Sequence, residues 1–186
     1  MAKTANLLTD GFGSPDRIGL LLPLHWQTVC LLLGGVAAGA TVVVASDPSF
    51  LSGCALAFTA VEDAEAALDA GVDDVLACSL TPFATRLASV PSMVLDAAAE
   101  IPTYGDHFNG RPREARLELD GVPFAVPALD LGTTDRLLIE QPPSTSAGLG
   151  ALLGGLQAGA ALILLRSGDR ELARIAEGVT AVSQIS

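Results

Sequence analysis

The order of charged, proline and glycine residues over positions 16–46 recurs over positions 135–167, and this recurrence limits the folds open to the chain more than any other feature. Asp16-Arg17 answers to Asp135-Arg136, and a proline stands six residues after each arginine, at Pro23 and Pro142. Leu32-Leu33-Gly34-Gly35 and Ala38-Gly39-Ala40 then match Leu152-Leu153-Gly154-Gly155 and Ala158-Gly159-Ala160, with one extra residue near Pro143 taking up the change of offset. A leucine- and alanine-rich chain gives apolar matches by chance, but not this ordered set of charges, prolines and glycines. Each copy reads as a strand ended by proline, a loop, an apolar helix stopped by glycine, and a second strand. That is the βαβ unit of a parallel sheet. The expectation is therefore an α/β protein with an internal duplication, its mostly parallel sheets flanked by helices in three layers.

Residues 18–46 carry no formal charge, a stretch long enough to raise the question of a membrane span. Pro23, His25, Gln27 and four glycines interrupt it, and the second copy carries Glu140 and Gln141. Strands covered on both faces with a buried helix between them account for it better, and no membrane partner is expected. The opening residues, MAKTANLLTDG, lack the basic, apolar and small-residue order of a signal peptide. A chain of 186 residues, 50% hydrophobic, 4% aromatic and 17% charged, can bury one good core or two small lobes. Its net charge of −11 repels nucleic acid and anionic lipid. Cys30, Cys54 and Cys78 stand in apolar runs without histidine or CxxC company, so they read as buried thiols of a cytoplasmic protein and not as metal ligands.

Along the chain, residues 2–9 read as the end of an amphipathic helix, 17–22 as a buried strand, 26–38 as a helix apolar nearly all round, and 41–45 as a β-branched strand. A strand at 56–59, an acidic helix at 61–70 stopped by Gly71, and a strand at 74–80 continue the alternation. Between 81 and 131 six prolines weaken the pattern; a small helix is expected at 92–100, and Asp120-Gly121 predicts a hairpin between 116–119 and 122–125. The expected division is a first α/β half over 1–101, a linker with hairpin over 102–131, and a second half over 132–186. The latter ends with a helix at 169–177, capped by Ser167 or Asp169 and stopped by Gly178, and a strand at 179–182.

DRIGLLLP, the apolar helix and LLGGVAAGATVVV resemble the first conserved block of the adenylate-forming superfamily, which includes the acyl-CoA synthetases. The second copy resembles a later block of the same N-terminal domain, with Pro142 at the position of the family's strand-ending proline. HWQTVCLLLGGVAAGA, VLACSL at 75–80 and YGDHF at 104–108 are similar to a short actinobacterial family distantly related to AMP-dependent synthetases. The resemblance implies the acyl-CoA synthetase N-terminal fold and raises AMP or ATP as a ligand. It also implies chemistry that these residues do not match. Adenylation uses a Ser/Thr/Gly-rich loop ending in lysine to neutralise ATP phosphates. The only lysine here is Lys3, so neither that lysine nor the catalytic lysine of the family's C-terminal domain is matched. Tyr104-Gly105-Asp106-His107 lacks the Thr-Glu of the family's adenine motif and precedes the second copy, and Pro143-Ser144-Thr145-Ser146 stands where a histidine is usual.

Two strand-to-helix turns are the candidate ligand sites, because open α/β sheets bind ligands at the carboxyl ends of their strands. The first carries His25 and Trp26, whose alternative roles are a helix-start hydrogen bond and a core anchor. The second carries Ser144, Thr145 and Ser146, which suit an anion at a helix N-terminus or a simple N-cap. Gly148-x-Gly150-x-x-x-Gly154 lies inside a helix and reads as close packing, not a dinucleotide fingerprint. Asp106 with His107 reads as an exposed loop, and Arg111, Arg113 and Arg116 as a solvated cluster. No catalytic triad, metal site or resident cofactor is expected. The reading is a non-catalytic relative of the synthetase N-terminal domain acting as a binding or assembly module. Its partner is an unidentified protein, a nucleotide-like small molecule or a second copy in a homodimer. The alternatives are a nucleotide- or acyl-adenylate-binding protein with residual ligase activity, and a purely structural oligomer.

Overall fold

In the computed structural model, which describes residues 1–110 and 114–183, the uncharged stretches become inner strands. Residues Ala2–Asn6 form α1, continued by a wider turn at Leu7–Gly11. Strand β1 (Arg17–Leu21) leads through α2 (Trp26–Ala38) to β2 (Thr41–Val44), which pairs with β1 in parallel. On its other side β1 pairs in parallel with β3 (Leu56–Ala60), so its amides and carbonyls are used on both edges. After a tight turn at Val61–Asp63, α3 (Ala64–Asp69) leads to β4 (Asp74–Cys78), and β5 (Val94–Asp96) runs into α4 (Ala97–Glu100). Strand β6 (Arg116–Leu119) pairs in parallel with β2 and turns back into β7 (Val122–Pro123), completing the order β5-β4-β3-β1-β2-β6-β7.

Both faces of this sheet are covered. On one, α2 approaches at Gly35, where a Cβ would stand 2.6 Å from Ile18 Cδ1 and 2.8 Å from Val42 Cγ2. On the other, Leu21, Leu51, Ala57 and Ala77 pack against Ala64 and Ala67 of α3. The second sheet has β8 (Arg136–Ile139) between β9 (Ala161–Leu164) and β10 (Ala181–Val182), all parallel. Helix α5 (Ser146–Ala158) covers one face, with Gly155 against Leu162 and Leu137, and the exposed α6 (Arg170–Glu177) lies between β9 and β10 in the chain. Two compact units result, Met1–Leu22 with Gln27–Pro123, and Pro23–Trp26 with Phe124–Ser186.

The recurring residues fold alike. Gly39 and Gly159 end α2 and α5 at φ 81° and 78°, as only glycine does without strain. Ala40 and Ala160 donate to the Gly35 and Gly155 carbonyls at 3.1 and 3.0 Å, and Arg17↔Thr41 and Arg136↔Ala161 set the same register. Asp169 caps α6 by accepting from the Leu172 amide, and Gly178 stops it at φ 59°.

Differences from the sequence reading lie where long-range pairing decides. Residues 92–100 were expected to be helical; instead Val94–Asp96 pairs with β4, and helix begins only after Asp96, whose side chain accepts from Ala98 N. The hairpin turn forms at Asp120 and Gly121, both at positive φ, but its first strand joins the seven-stranded sheet. Asp120 also accepts from the Ser46 amide at 2.7 Å and hydroxyl at 2.8 Å, tying the turn to the end of β2. Cys54 and Cys78 are buried, and burial pushes the Cys78 thiol up to about 12; Cys30 is half-buried. Among the described residues no helix is long and apolar enough to cross a membrane.

Thr59, in the middle of the larger sheet, is fully buried with no hydrogen-bond partner for its hydroxyl. Thr59→Val, which keeps the branched shape, is expected to raise stability by about 1 kcal/mol. Gly35→Ala is expected to cost about 2 kcal/mol by wedging α2 from β1 and β2. Urea denaturation of both variants checks the pair.

Candidate functional site

The second unit holds both turns that the sequence singles out. Pro23–Trp26 falls in the same compact unit as the β8–α5 turn, so the two candidate turns are grouped although about 120 residues separate them in sequence. The Trp26 indole is 44% exposed, and its ring lies 5.5 Å from that of His25, tilted by 36°. Trp26 is therefore not the core anchor considered above. The buried neighbours Leu22 and Leu24 fill the interior, and the helix start turns the indole outward.

The second turn is built on backbone. Thr145 is the N-cap of α5: its hydroxyl accepts from Gly148 N at 3.1 Å and donates to the Pro142 carbonyl at 2.9 Å, which also accepts from the Thr145 amide at 3.1 Å. The turn folds so closely over the helix that a Cβ on Gly148 would collide with the Pro142 carbonyl oxygen and stand 2.8 Å from that of Gln141. Gly148 thus serves close packing, as its place in the helix implied. Ser144 is half-buried and Ser146 exposed.

Ser146 lines a cleft of about 530 Å³ in this unit. Ala147, Gly150 and Ala151 of α5 form one wall, with Pro127, Leu129, Leu131, Leu137 and Val182 around them. Its polar groups are few: the hydroxyls of Ser146 and Ser183 and the carboxylate of Asp130. Ser183 is fixed by donating to Gln141 Oε1 at 2.6 Å. Nearby, the Gly132 amide and the Thr180 hydroxyl hold the Asp135 carboxyl below the usual carboxylate range and tie the loop before β8 to the strand after α6. Chemically the cleft suits an apolar group whose polar end meets the first turn of α5, where the helix dipole favours negative charge. Sequence reasoning found Ser146 but not the Pro127–Leu131 side of the cleft (residues 127–131), because those residues were read as linker and carry no local pattern.

The first unit holds a second cleft, of about 770 Å³, among Asn6, Asp10, His107 and Phe108. The loop beside it is held by α1: Asn6 donates to the Gly105 and His107 carbonyls at 2.9 Å each, and Lys3 donates to the Tyr104 carbonyl at 2.6 Å. Lys3 also pairs with Asp106 at 3.1 Å, so the chain's single lysine serves as a loop fastener. His107 is exposed, Arg116 lies on β6, and Arg111 and Arg113 fall outside the described residues.

Comparison with known proteins now bears on this arrangement. None of the family models compared matches the chain. The chain is 32% identical over 184 residues to the TIGR03089 family protein of Mycobacterium tuberculosis (strain ATCC 25618 / H37Rv), covering 90% of this chain and 74% of that relative. The chain belongs to the TIGR03089 family. Its fold is that of the acyl-CoA synthetase N-terminal domain. An acyl-CoA synthetase from Brucella canis superposes with a TM-score of 0.77 at 22% identity, over 97% of this chain and 39% of that one. The N-terminal domain of FACL13 from Mycobacterium tuberculosis gives 0.67 at 19% identity, over 97% of this chain and 52% of that one. A benzoate CoA ligase from Burkholderia xenovorans LB400 gives 0.63 at 18% identity, over 95% and 41%. This TIGR03089 family chain thus spans about two fifths to one half of the solved structures it matches. At these identities the likeness concerns fold.

The cap makes a specific prediction. Gly148→Ala is expected to destabilise by about 3 kcal/mol, because the clash is with backbone and cannot relax by a rotamer change. Thr145→Ala should cost about 1 kcal/mol and Thr145→Ser much less. Equal losses in thermal melts of Thr145→Ala and Thr145→Ser would refute the capping role.

Proposed function

We propose that this chain is a non-catalytic relative of the AMP-dependent synthetase N-terminal domain that serves as a binding module for a small apolar carboxylate or acyl group. The observation that carries the reading is the cleft at the start of α5, apolar along Ala147, Gly150 and Ala151 and polar at Ser146. An apolar tail there gains by leaving water, and a carboxylate at the helix N-terminus meets the dipole and the Ser146 hydroxyl. Adenylation would further require cationic neutralisation of ATP phosphates. The chain's single lysine is paired with Asp106 in the other unit, and no lysine-ending phosphate loop occurs in these residues. Binding without chemistry is what remains of the synthetase repertoire.

The second reading, a nucleotide- or acyl-adenylate-binding protein with residual ligase activity, is favoured by the grouping of the His25–Trp26 turn with the α5 turn, both at carboxyl ends of parallel strands. Thermal shift against octanoate, benzoate, AMP, ATP and CoA separates the two. The binding-module reading expects a rise of several degrees with the carboxylates, abolished by Ala147→Phe, and no pyrophosphate exchange with magnesium and ATP. Exchange above background would establish the ligase reading, and a flat response to every compound would end both.

A further inference from the structure

Two lining segments of the cleft at the start of α5 are short and irregular, and one carboxylate outside the lining holds both. Leu129 and Leu131 belong to a stretch, residues 124–131, that carries neither helix nor strand. Val182 and Ser183 belong to β10 and the residue after it, a strand whose register with β8 spans two positions. Segments of this kind have little ladder of their own to keep them in place. Asp135, just before β8, binds the root of each. Its Oδ2 accepts from the Gly132 amide at 2.8 Å, one residue after Leu131. Its Oδ1 accepts from the Thr180 hydroxyl at 2.8 Å, two residues before Val182. That hydroxyl also accepts from the Arg136 amide at 2.9 Å, and the Thr180 amide donates to the Arg136 carbonyl at 3.1 Å. Leu137, another lining residue, follows at once. Other ties hold one segment each: Pro127 and Leu129 lie against α5 where Gly150 and Gly154 leave room, and Ser183 donates to Gln141.

We propose that Asp135 is the positioning residue of this cleft: its carboxylate fixes the loop at 127–131 relative to the strand at 181–183, and so sets the affinity for an apolar carboxylate ligand. The inference rests on the ligand-binding reading of the cleft given above. A carboxylate that accepts from two segments at once makes charge-assisted bonds to each, and its loss frees both together. A cleft whose sides are already in place loses less freedom when a ligand enters than one whose sides must be ordered by it. Asp135 acts on the ligand only through those sides. An asparagine in its place keeps both links, its oxygen accepting from Gly132 and its amide donating to the Thr180 oxygen. The shape of the bonding, not the charge, is what the position requires.

Calorimetric titration with octanoate and benzoate, together with amide hydrogen exchange of the ligand-free chain over residues 127–132 and 179–183, tests this. Asp135→Ala is expected to weaken binding about tenfold and Thr180→Val about threefold, while Asp135→Asn stays within about threefold of wild type. Exchange should quicken in both segments together in Asp135→Ala. Asp169→Ala, which removes the N-cap of α6 away from the cleft lining, should lower the melting temperature and leave affinity within about twofold. Wild-type affinity in Asp135→Ala overturns the positioning role and leaves the ligand-binding reading standing. Exchange that quickens in one segment only, or an Asp169→Ala variant that loses as much affinity as Asp135→Ala, overturns it too. If Asp135→Ala does not fold, Thr180→Val decides, and unchanged affinity there is the negative result. A wild-type chain that binds neither carboxylate removes the ligand-binding reading and the proposal with it.

Discussion

Both units depend on one contact, the approach of an apolar helix to two parallel strands at a residue with no side chain. Gly35 sets α2 on Ile18 and Val42, and Gly155 sets α5 on Leu137 and Leu162. Each glycine carbonyl then accepts the amide that starts the next strand's approach, from Ala40 and Ala160, so the same residue fixes helix depth and strand entry. The preceding glycine of each pair faces away from the strands and admits a different neighbour: Thr4 of α1 lies 2.5 Å from a Cβ on Gly34, and the Pro127 carbonyl 2.8 Å from one on Gly154. Two adjacent glycines thus let one helix be packed on both sides, which explains why each helix is apolar nearly all round.

The functional reading follows from what this scaffold leaves at its strand ends. Strand-to-helix turns are where α/β sheets usually put chemistry. Here the second turn spends its hydroxyl on capping and its glycine on clearance, and what it offers outward is Ser146 at the rim of an apolar cleft. The chain's single lysine, Lys3, fastens the loop at 104–106 to α1. The proposed ligand site rests on this cleft, and no lysine-ending phosphate loop occurs in these residues.

Much of the architecture was legible in the residues. The span of α2, the caps of α6 at Asp169 and Gly178, and the hairpin turn at Asp120-Gly121 all follow from local rules, because glycine, aspartate and apolar spacing act within one or two turns of chain. The strand Val94–Asp96 was not legible: its residues differ little from a short alanine-rich helix, and only pairing with Val75, Leu76 and Ala77 makes them extended. Of the candidate site, Ser146 could be named from its place at a helix start, whereas Pro127, Leu129 and Leu131 could not. A proline-rich segment shows no period from which its buried side can be read.

Sequence alone determined the α/β class, the order of most elements, the glycine stops and the absence of a phosphate-gripping lysine among these residues, since each depends on neighbours in the chain. Tertiary structure decided which way side chains face. Trp26 looks like a core residue by type and is exposed, because Leu22 and Leu24 occupy the interior beside it. Leu172 and Ile175 have the spacing of a buried apolar stripe and are exposed, while Arg170 and Glu177 of the same helix pair with Glu140 and Arg136, thirty or more residues earlier. The orientation of a helix is set by its partners across space, and a local pattern does not contain them.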